Sequence, residues 1–274
     1  MPAIKDWIIS ATTQLSVADI ISARLDAEIL LADALKKDRT YLHAHPDQIL
    51  DEQQLNDADG YITKRLNRIP IAYITGYKEF YGRNFTVTPA TLIPRPESED
   101  IITILKDILS PTNYHLPTTN LIDVGTGSGC LGITAKLEFP NLNVTLTDIS
   151  PEALEVASQN AKTLSADVKI LQSDLLKNYP DQLDIIIANL PYVDESWDRS
   201  PETNYEPALA LFADNGGKAL IEELITQAKK ILHSSGYLII EADPDQHPDL
   251  INYAEKHSFT VIQQANYIIV FKHQ

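Results

Sequence analysis

Along the first 69 residues apolar side chains recur at the spacing of amphipathic helices, with almost no Gly or Pro between them. Ile4, Trp7, Ile8 and Leu15 mark one helix. Ile20, Ile21, Leu25, Ile29, Leu30, Ala34 and Leu35 mark a second, for which Asp19 is the expected cap. A third runs from about Asp51 to Asn67 and is stopped by Pro70, and His43, His45 and Pro46 fall in the loop before it. The pattern predicts a small helical-bundle domain over 1–69, a shape suited to holding a partner. From Ile71 to Thr88 aromatic and β-branched residues flank Gly82 and Asn84, which predicts a β-hairpin within a linker spanning 70–96. The linker closes on Leu92-Ile93-Pro94-Arg95-Pro96-Glu97-Ser98-Glu99, where two prolines hold Arg95 in extended backbone. Ser98 or Glu97 is then placed to start a helix from Ile101 to Leu109.

Beyond residue 97 short apolar runs alternate with helical stretches, the signature of an α/β domain. Thr119 to Val124, Asn143 to Thr147 and Asp167 to Gln172 read as strands, and Asp184 to Ala188 as a buried parallel strand. Cys130 to Phe139, a segment opening at Ser150-Pro151-Glu152, Gly216 to Leu232 and Asp249 to His257 read as helices. Gly236 to Ala242 is a further strand, and Val261-Ile262 with Ile268 to Phe271 closes the chain as an antiparallel pair. The polar stretch from Val193 to Asn215 is long for a loop, and loops of that length are usually functional or mobile.

Composition narrows the function classes. A net charge of −16, with no cluster of Lys and Arg, would repel a phosphate backbone and makes duplex DNA or RNA a poor substrate. The only cysteine, Cys130, excludes an internal disulfide and a cysteine-based metal cluster, and its place beside a glycine loop suits a small buried residue better than a nucleophile. His43 and His45, two apart and without a third ligand nearby, do not form a metal site. No apolar run approaches the roughly 18 residues of a membrane span, and the start is not a signal peptide, so a cytoplasmic protein is expected.

The candidate chemistry sits at strand ends. Asn189-Leu190-Pro191-Tyr192 closes a β-branched strand, and in open α/β sheets ligands bind beyond the carboxyl ends of such strands. Asn and Pro are also common at ordinary strand exits, so the tetrapeptide needs upstream support. Gly125-Thr126-Gly127-Ser128-Gly129 supplies it, lying between a strand and a helix whose free N–H groups would face a ligand. Asp148 ends the next strand about 20 residues later, where a Rossmann-like fold places an acid on ribose hydroxyls. Capping of the helix at Ser150 is the competing role for Asp148. The loop is Gly-x-Gly-x-Gly and lacks the third-glycine spacing of a dinucleotide fingerprint, so nothing demands a pyrophosphate and a nucleoside with an amino-acid tail fits as well. Asp174 and the Leu175 amide could read the amino edge of adenine.

Taken together, these motifs resemble the peptide chain release factor glutamine methyltransferases. The resemblance extends over nearly the whole chain and includes Tyr205-Glu206-Pro207-Ala208-Leu209 and Glu241 with Gln246. It implies a class I methyltransferase Rossmann-like seven-stranded sheet with an antiparallel last strand over 97–274, preceded by the helical bundle and the hairpin linker. It also implies S-adenosylmethionine as cofactor, held by Gly125, Thr126, Gly127, Ser128, Gly129, Asp148, Asp174, Leu175 and Asn189. The implied reaction methylates the side-chain amide nitrogen of the Gln in the Gly-Gly-Gln motif of class-1 release factors. Asn189, Leu190, Pro191, Tyr192 and Arg95 are the implied substrate-side residues, Tyr192 as an apolar wall, in a monomer that needs no metal. Three departures stand out: Leu190 replaces the first proline of the family's Asn-Pro-Pro-Tyr, Ser98 replaces a Thr, and Asp243 replaces a Gly. An amino-methyltransferase acting on adenine or cytosine in nucleic acid, and an inactive cofactor- or partner-binding module, are the alternatives from other classes.

Overall fold

The computed structural model describes residues 1–110, 119–177 and 179–274. It forms two compact units, one of Met1–Gly76 with Ser200–Tyr205 and one of Tyr77–Arg199 with Glu206–Gln274.

The smaller unit is helical, with α1 (Ile4–Val17), α2 (Ala23–Leu35), α3 (Arg39–Ala44), α4 (Glu52–Leu66) and α5 (Ile71–Thr75). Ile4, Trp7, Leu15, Leu30, Leu31, Leu42 and Leu50 fill its core. Asp51 caps α4 through a capping box with Gln54, which satisfies two otherwise orphaned N–H groups. Three expectations change here. Asp19 does not cap α2: it sits in left-handed backbone at φ 55°, the helix begins four residues later, and Ile21 and Leu25 are exposed. The stretch around His43 is the helix α3, nucleated by the Asp38 side chain accepting from the Tyr41 N–H at 2.8 Å. Ile71 to Thr75 is the short helix α5 rather than hairpin strand, ended by Gly76 at φ 84°.

Within this unit Arg65 is buried and carries two carboxylates. Its Nε donates to Asp26 Oδ2 at 2.7 Å and its Nη1 to Glu202 Oε1 at 2.9 Å. Tyr205 donates its hydroxyl to the Asn67 carbonyl, and Arg68 reaches Glu202 and the Ala18 carbonyl.

The larger unit opens with a hairpin, β1 (Tyr77–Phe80) and β2 (Arg83–Thr86), joined by Tyr81 and Gly82, both at positive φ. After α6 (Glu99–Ile108) come β3 (Thr119–Val124), α7 (Cys130–Glu138), β4 (Leu142–Asp148), α8 (Pro151–Thr163), β5 (Lys169–Gln172) and β6 (Leu183–Ala188). Then follow α9 (Ala219–Ile231), β7 (Leu232–Glu241), α10 (His247–Glu255), β8 (Phe259–Ala265) and β9 (Ile268–His273). Seven strands form one sheet in the order β5-β4-β3-β6-β7-β9-β8, and only β9 runs against its neighbours. Apolar clusters cover both faces, so β6 is buried throughout and β3 at every position but Asn120, as their mostly apolar sequences require. The strand order reverses between β3 and β6, which opens a crevice at their carboxyl ends. The long stretch after β6 holds two 3-10 turns, Pro201–Tyr205 and Ala208–Ala210. Among the described residues no helix is long and apolar enough to cross a membrane, and no cluster of His, Cys, Asp and Glu could hold a metal ion.

Candidate active site

The crevice is a cleft to which each of the first four parallel strands contributes its carboxyl end. Gly125, Thr126, Gly127 and Ser128 enter after β3, Asp148 after β4, Asp174 and Leu175 after β5, and Asn189, Leu190 and Pro191 after β6. Arg95 and Ser98, from the segment before α6, complete one wall. Two expected residues stand behind the cleft instead. Gly129, at φ 83°, starts α7 and packs against Ile133 and Ala157, while the Tyr192 hydroxyl turns inward to Glu241. Tyr192 therefore adds a hydrogen bond to the apolar role expected of it.

The glycine loop is held from below by an acid. Asp123 Oδ2 accepts from the Thr126 hydroxyl at 2.6 Å and from the Gly132 N–H at 2.9 Å. Burial, with the charge of Asp148 adding to it, pushes the Asp123 carboxyl up to about 6 against the pull of those two donors. Asp148 holds the loop from the side: its Oδ2 accepts from the Gly127 N–H at 2.9 Å and its Oδ1 from the Ser150 N–H at 3.0 Å. Ser150 itself caps α8, so the capping role open to Asp148 falls to its neighbour. Each Asp148 oxygen keeps a second lone pair for a ligand hydroxyl. The loop N–H groups are less free than the sequence suggests, because Thr126, Gly127, Gly129 and Gly132 all donate to protein acceptors.

The glycine spacing also needs correcting. Taken from Gly127, the run Gly127, Gly129, Gly132 does have the Gly-x-Gly-x-x-Gly spacing. A side chain at Gly132 would collide with Leu146 and Asp123, which is the close helix–strand packing that the third glycine of that fingerprint permits. Asn160 on α8 was missed altogether: buried, it donates to the Ser128 and Thr86 carbonyls and accepts from the Thr86 N–H, joining the loop to β2.

At the tip of β6, Asn189 Nδ2 donates to Ser98 Oγ at 2.9 Å, and Ser98 Oγ donates to Glu241 Oε2 at 2.6 Å. Ser98 thus makes no side-chain cap for α6 and faces the sheet instead. Tyr192 donates to the other Glu241 oxygen at 3.1 Å. Glu241 is 1% exposed, and burial raises its carboxyl above the ordinary range although Ser98 and Tyr192 pull it down. Burial, reinforced by Glu241, pushes the Tyr192 phenol up as well. Asn189 Oδ1 and the Leu190 carbonyl accept no hydrogen bond from any described residue.

The backbone of the motif is clamped from elsewhere in the chain. Gln246 Nε2 donates to the Tyr192 carbonyl at 2.8 Å and to the Gly216 carbonyl at 2.7 Å. Gly217, at φ 81°, passes so close that a side chain there would run into the Tyr192 carbonyl. Leu190 is buried in the core cluster with Val124 and Leu175, and its Cδ2 would lie 2.7 Å from a Cβ on Gly125. Packing against the glycine loop thus anchors position 190 without a proline ring. Arg95 is extended, at φ −97° and ψ 139°, and its Nη2 donates to Glu206 Oε1 at 2.6 Å. Glu206 Oε2 accepts from the Ile93 N–H at 3.1 Å, so this acid fixes both ends of the Pro94-Arg95 turn. Asp174 is half exposed and 3.7 Å from Lys177, and the Leu175 N–H has no protein acceptor among the described residues.

The PrmC N-terminal domain family matches residues 6–76, and the methyltransferase small domain family matches residues 104–204. The chain is 40% identical over 245 residues to the release factor glutamine methyltransferase of Koribacter versatilis, covering 86% of each chain. It is 39% identical over 242 residues to the protein of the same name from Leptospira interrogans, covering 85% of this chain and 83% of that one. Among solved structures it is similar to the Thermus thermophilus 16S rRNA N2 G1207 methyltransferase in complex with AdoMet and guanosine. That likeness has a TM-score of 0.54 at 16% identity, covers 72% of this chain and 49% of that one, and speaks to the fold alone.

Proposed function

Since the chain belongs to the release factor glutamine methyltransferase family, we propose that this methyltransferase moves a methyl group from S-adenosylmethionine to the side-chain amide nitrogen of the Gln in the Gly-Gly-Gln motif of class-1 release factors. The observation that carries the reading is the pair of unused acceptors at the tip of β6, Asn189 Oδ1 and the Leu190 carbonyl. An amide NH2 has two hydrogens to place and a lone pair delocalised into its carbonyl, so it is a poor nucleophile. Two fixed acceptors would hold both hydrogens and aim the nitrogen, which makes positioning the main source of rate. An uncharged Asn accepts without placing a full negative charge beside the amide. Pro191 fixes the bend, and Arg95 stands at the mouth.

The residues present fit the cofactor. A Cβ at Gly127 would meet no atom within 4 Å, so the loop leaves room for a ligand against its backbone. Asp148 retains acceptor capacity for ribose hydroxyls, and Asp174 with the Leu175 N–H offers one acceptor and one donor to adenine. Gly125 to Ser128 would border the amino-acid tail. When bound, the cofactor supplies an electrophilic methyl group on a sulfonium, and the electron pair of the breaking bond stays on sulfur as the amide nitrogen takes the methyl. The nitrogen then gives up one proton to solvent.

In this reading 1–69 holds the protein substrate, 70–96 links, and 97–274 carries the chemistry, in the cytoplasm where release factors work. The net charge of −16 argues against a nucleic-acid substrate. The test is methyl transfer from labelled S-adenosylmethionine to a purified class-1 release factor, beside its Gly-Gly-Gln Gln→Ala variant and duplex DNA. Label on the intact factor alone is the expected result. Label on DNA would move the assignment to an amino-methyltransferase of nucleic acid, and cofactor binding without transfer would point to an inactive module.

A further inference from the structure

We infer that Glu241 is a positioning residue that, acting through Ser98, decides which end of the Asn189 side-chain amide faces the substrate. The two ends of an Asn amide are nearly equal in size and opposite in hydrogen-bonding sense, so shape alone does not choose between them. In this protein the choice is passed along a chain of three residues from distant parts of the sequence. Glu241 ends β7, Ser98 lies in the turn before α6, and Asn189 follows β6. A carboxylate only accepts, and Glu241 Oε2 takes the one proton Ser98 Oγ has, at 2.6 Å. Tyr192 fills the other oxygen of Glu241 at 3.1 Å, so Ser98 is the donor left for Oε2. With its proton committed, the Ser98 oxygen presents only lone pairs to Asn189. Of the two ends of the Asn189 amide, only the NH2 can meet it, and it does so at 2.9 Å. Oδ1 is thereby turned the other way and left without a donor among the described residues.

Reversal of this order would be costly for the reaction. An Asn189 NH2 turned toward the substrate would confront another NH2, donor against donor, and half of the two-acceptor grip would be gone. Glu241 does not line the cleft and is 1% exposed, so it acts only through the two side chains it holds, on Asn189 by way of Ser98 and on the motif's other end by way of Tyr192. The inference rests on the proposed reaction for its consequence but not for its geometry.

Glu241→Gln keeps the shape and breaks the rule, because the new NH2 can donate to Ser98 and leave its hydroxyl free to turn toward Asn189 Oδ1. Glu241→Gln, Ser98→Ala and Ser98→Thr, with the double variant Glu241→Gln/Ser98→Ala, are compared by kcat and KM for release factor and by calorimetric Kd for S-adenosylmethionine. Expected for Glu241→Gln and Ser98→Ala is a kcat loss of roughly tenfold or more with cofactor Kd nearly unchanged. Ser98→Thr, which keeps the hydroxyl, recovers most of the kcat that Ser98→Ala loses. The double variant is no worse than the worse single one, because both changes cut the same chain.

A wild-type kcat in Glu241→Gln, losses that multiply in the double variant, or losses confined to cofactor affinity would overturn the inference. Solvent exchange of the Asn189 side-chain NH2, followed by NMR on the full chain without substrate, tests the geometry separately. Protection in the wild type that is lost in Glu241→Gln and Ser98→Ala is expected, and equal exchange in all three would overturn the inference even if the substrate proposal held. Failure of the wild type to methylate any release factor, with the protection pattern intact, would overturn the substrate proposal alone.

Discussion

In the helical unit the buried acids Asp26 and Glu28 meet arginines, whereas beneath the cleft Asp123 and Glu241 meet only neutral donors among the described residues. Arg65 bridges Asp26 and Glu202, and Glu28 accepts from Arg39 Nη2 at 2.7 Å and from Arg24 Nε at 3.0 Å. Asp123 and Glu241 are held instead by hydroxyl and amide hydrogens. Burial would raise Glu202, but hydrogen bonds from Ser200, its own N–H and Arg65 hold it down at about 2. Asp123 is pushed up to about 6, and Glu241 is raised. An ion pair clamps whatever brings opposite charges together, while a hydrogen bond to a neutral donor also specifies direction. Beneath the cleft Asp123 and Glu241 use the second kind, while the Arg95–Glu206 pair in its wall is of the first.

The comparison breaks most visibly at Arg65. Arg65→Met would strand Asp26, while Glu202 keeps Arg68 and Ser200, and removal of one partner from a buried pair costs about 3–5 kcal/mol, to be read as a shift in the denaturant midpoint. Next in size are the pH arms, which run in opposite directions. Glu202 has a folded value below its ordinary 4.5, so its stabilisation is complete above 4.5 and is lost as pH falls toward about 2. Asp123 has a folded value above its ordinary 3.8, so its contribution is most favourable below 3.8 and declines as pH rises through about 6. Each arm spans on the order of 3 kcal/mol. Melting curves from pH 2 to 8 should lose the acid arm in Glu202→Gln and the second decline in Asp123→Asn.

Smaller again is Gln246→Leu, which leaves the Tyr192 and Gly216 carbonyls unpaired at about 1–3 kcal/mol by thermal unfolding. It should lower kcat more than cofactor affinity, since the clamp grips the motif rather than the glycine loop. Lys5→Ala removes an exposed pair with Asp47 and should leave the melting temperature where it was.

Most of the fold was legible because its decisive segments are continuous or strictly periodic. β3 and β6 are dominated by apolar, β-branched residues, and α4 announces itself with Asp51 and Gln54. What was misread is short. Six-residue α3 is too brief for periodicity, and α5 is written in Ile, Tyr and Thr, residues that read as strand although Pro70 and Gly76 bracket it as a helix. At the site, residues carried on strand tips were visible in the sequence, since a local pattern places them. Gln246, Gly217 and Asn160 act on backbone carbonyls contributed by other segments, and no spacing in one sequence marks such a contact. Glu241 and Glu206 could be noticed only by resemblance, and their partners only by geometry.

The six residues Ser200–Tyr205 give the molecule a different modularity from the one its gene order suggests. The chain leaves the larger unit after Arg199 and returns at Glu206, so the helical unit is completed only after β6 has been made. A fragment ending at Gly76 would contain Arg65 and Asp26 but lack Glu202 and the Tyr205 hydroxyl. During synthesis the amino-terminal helices would therefore wait more than a hundred residues for their last piece, and a graft of them onto another protein should carry those six residues along.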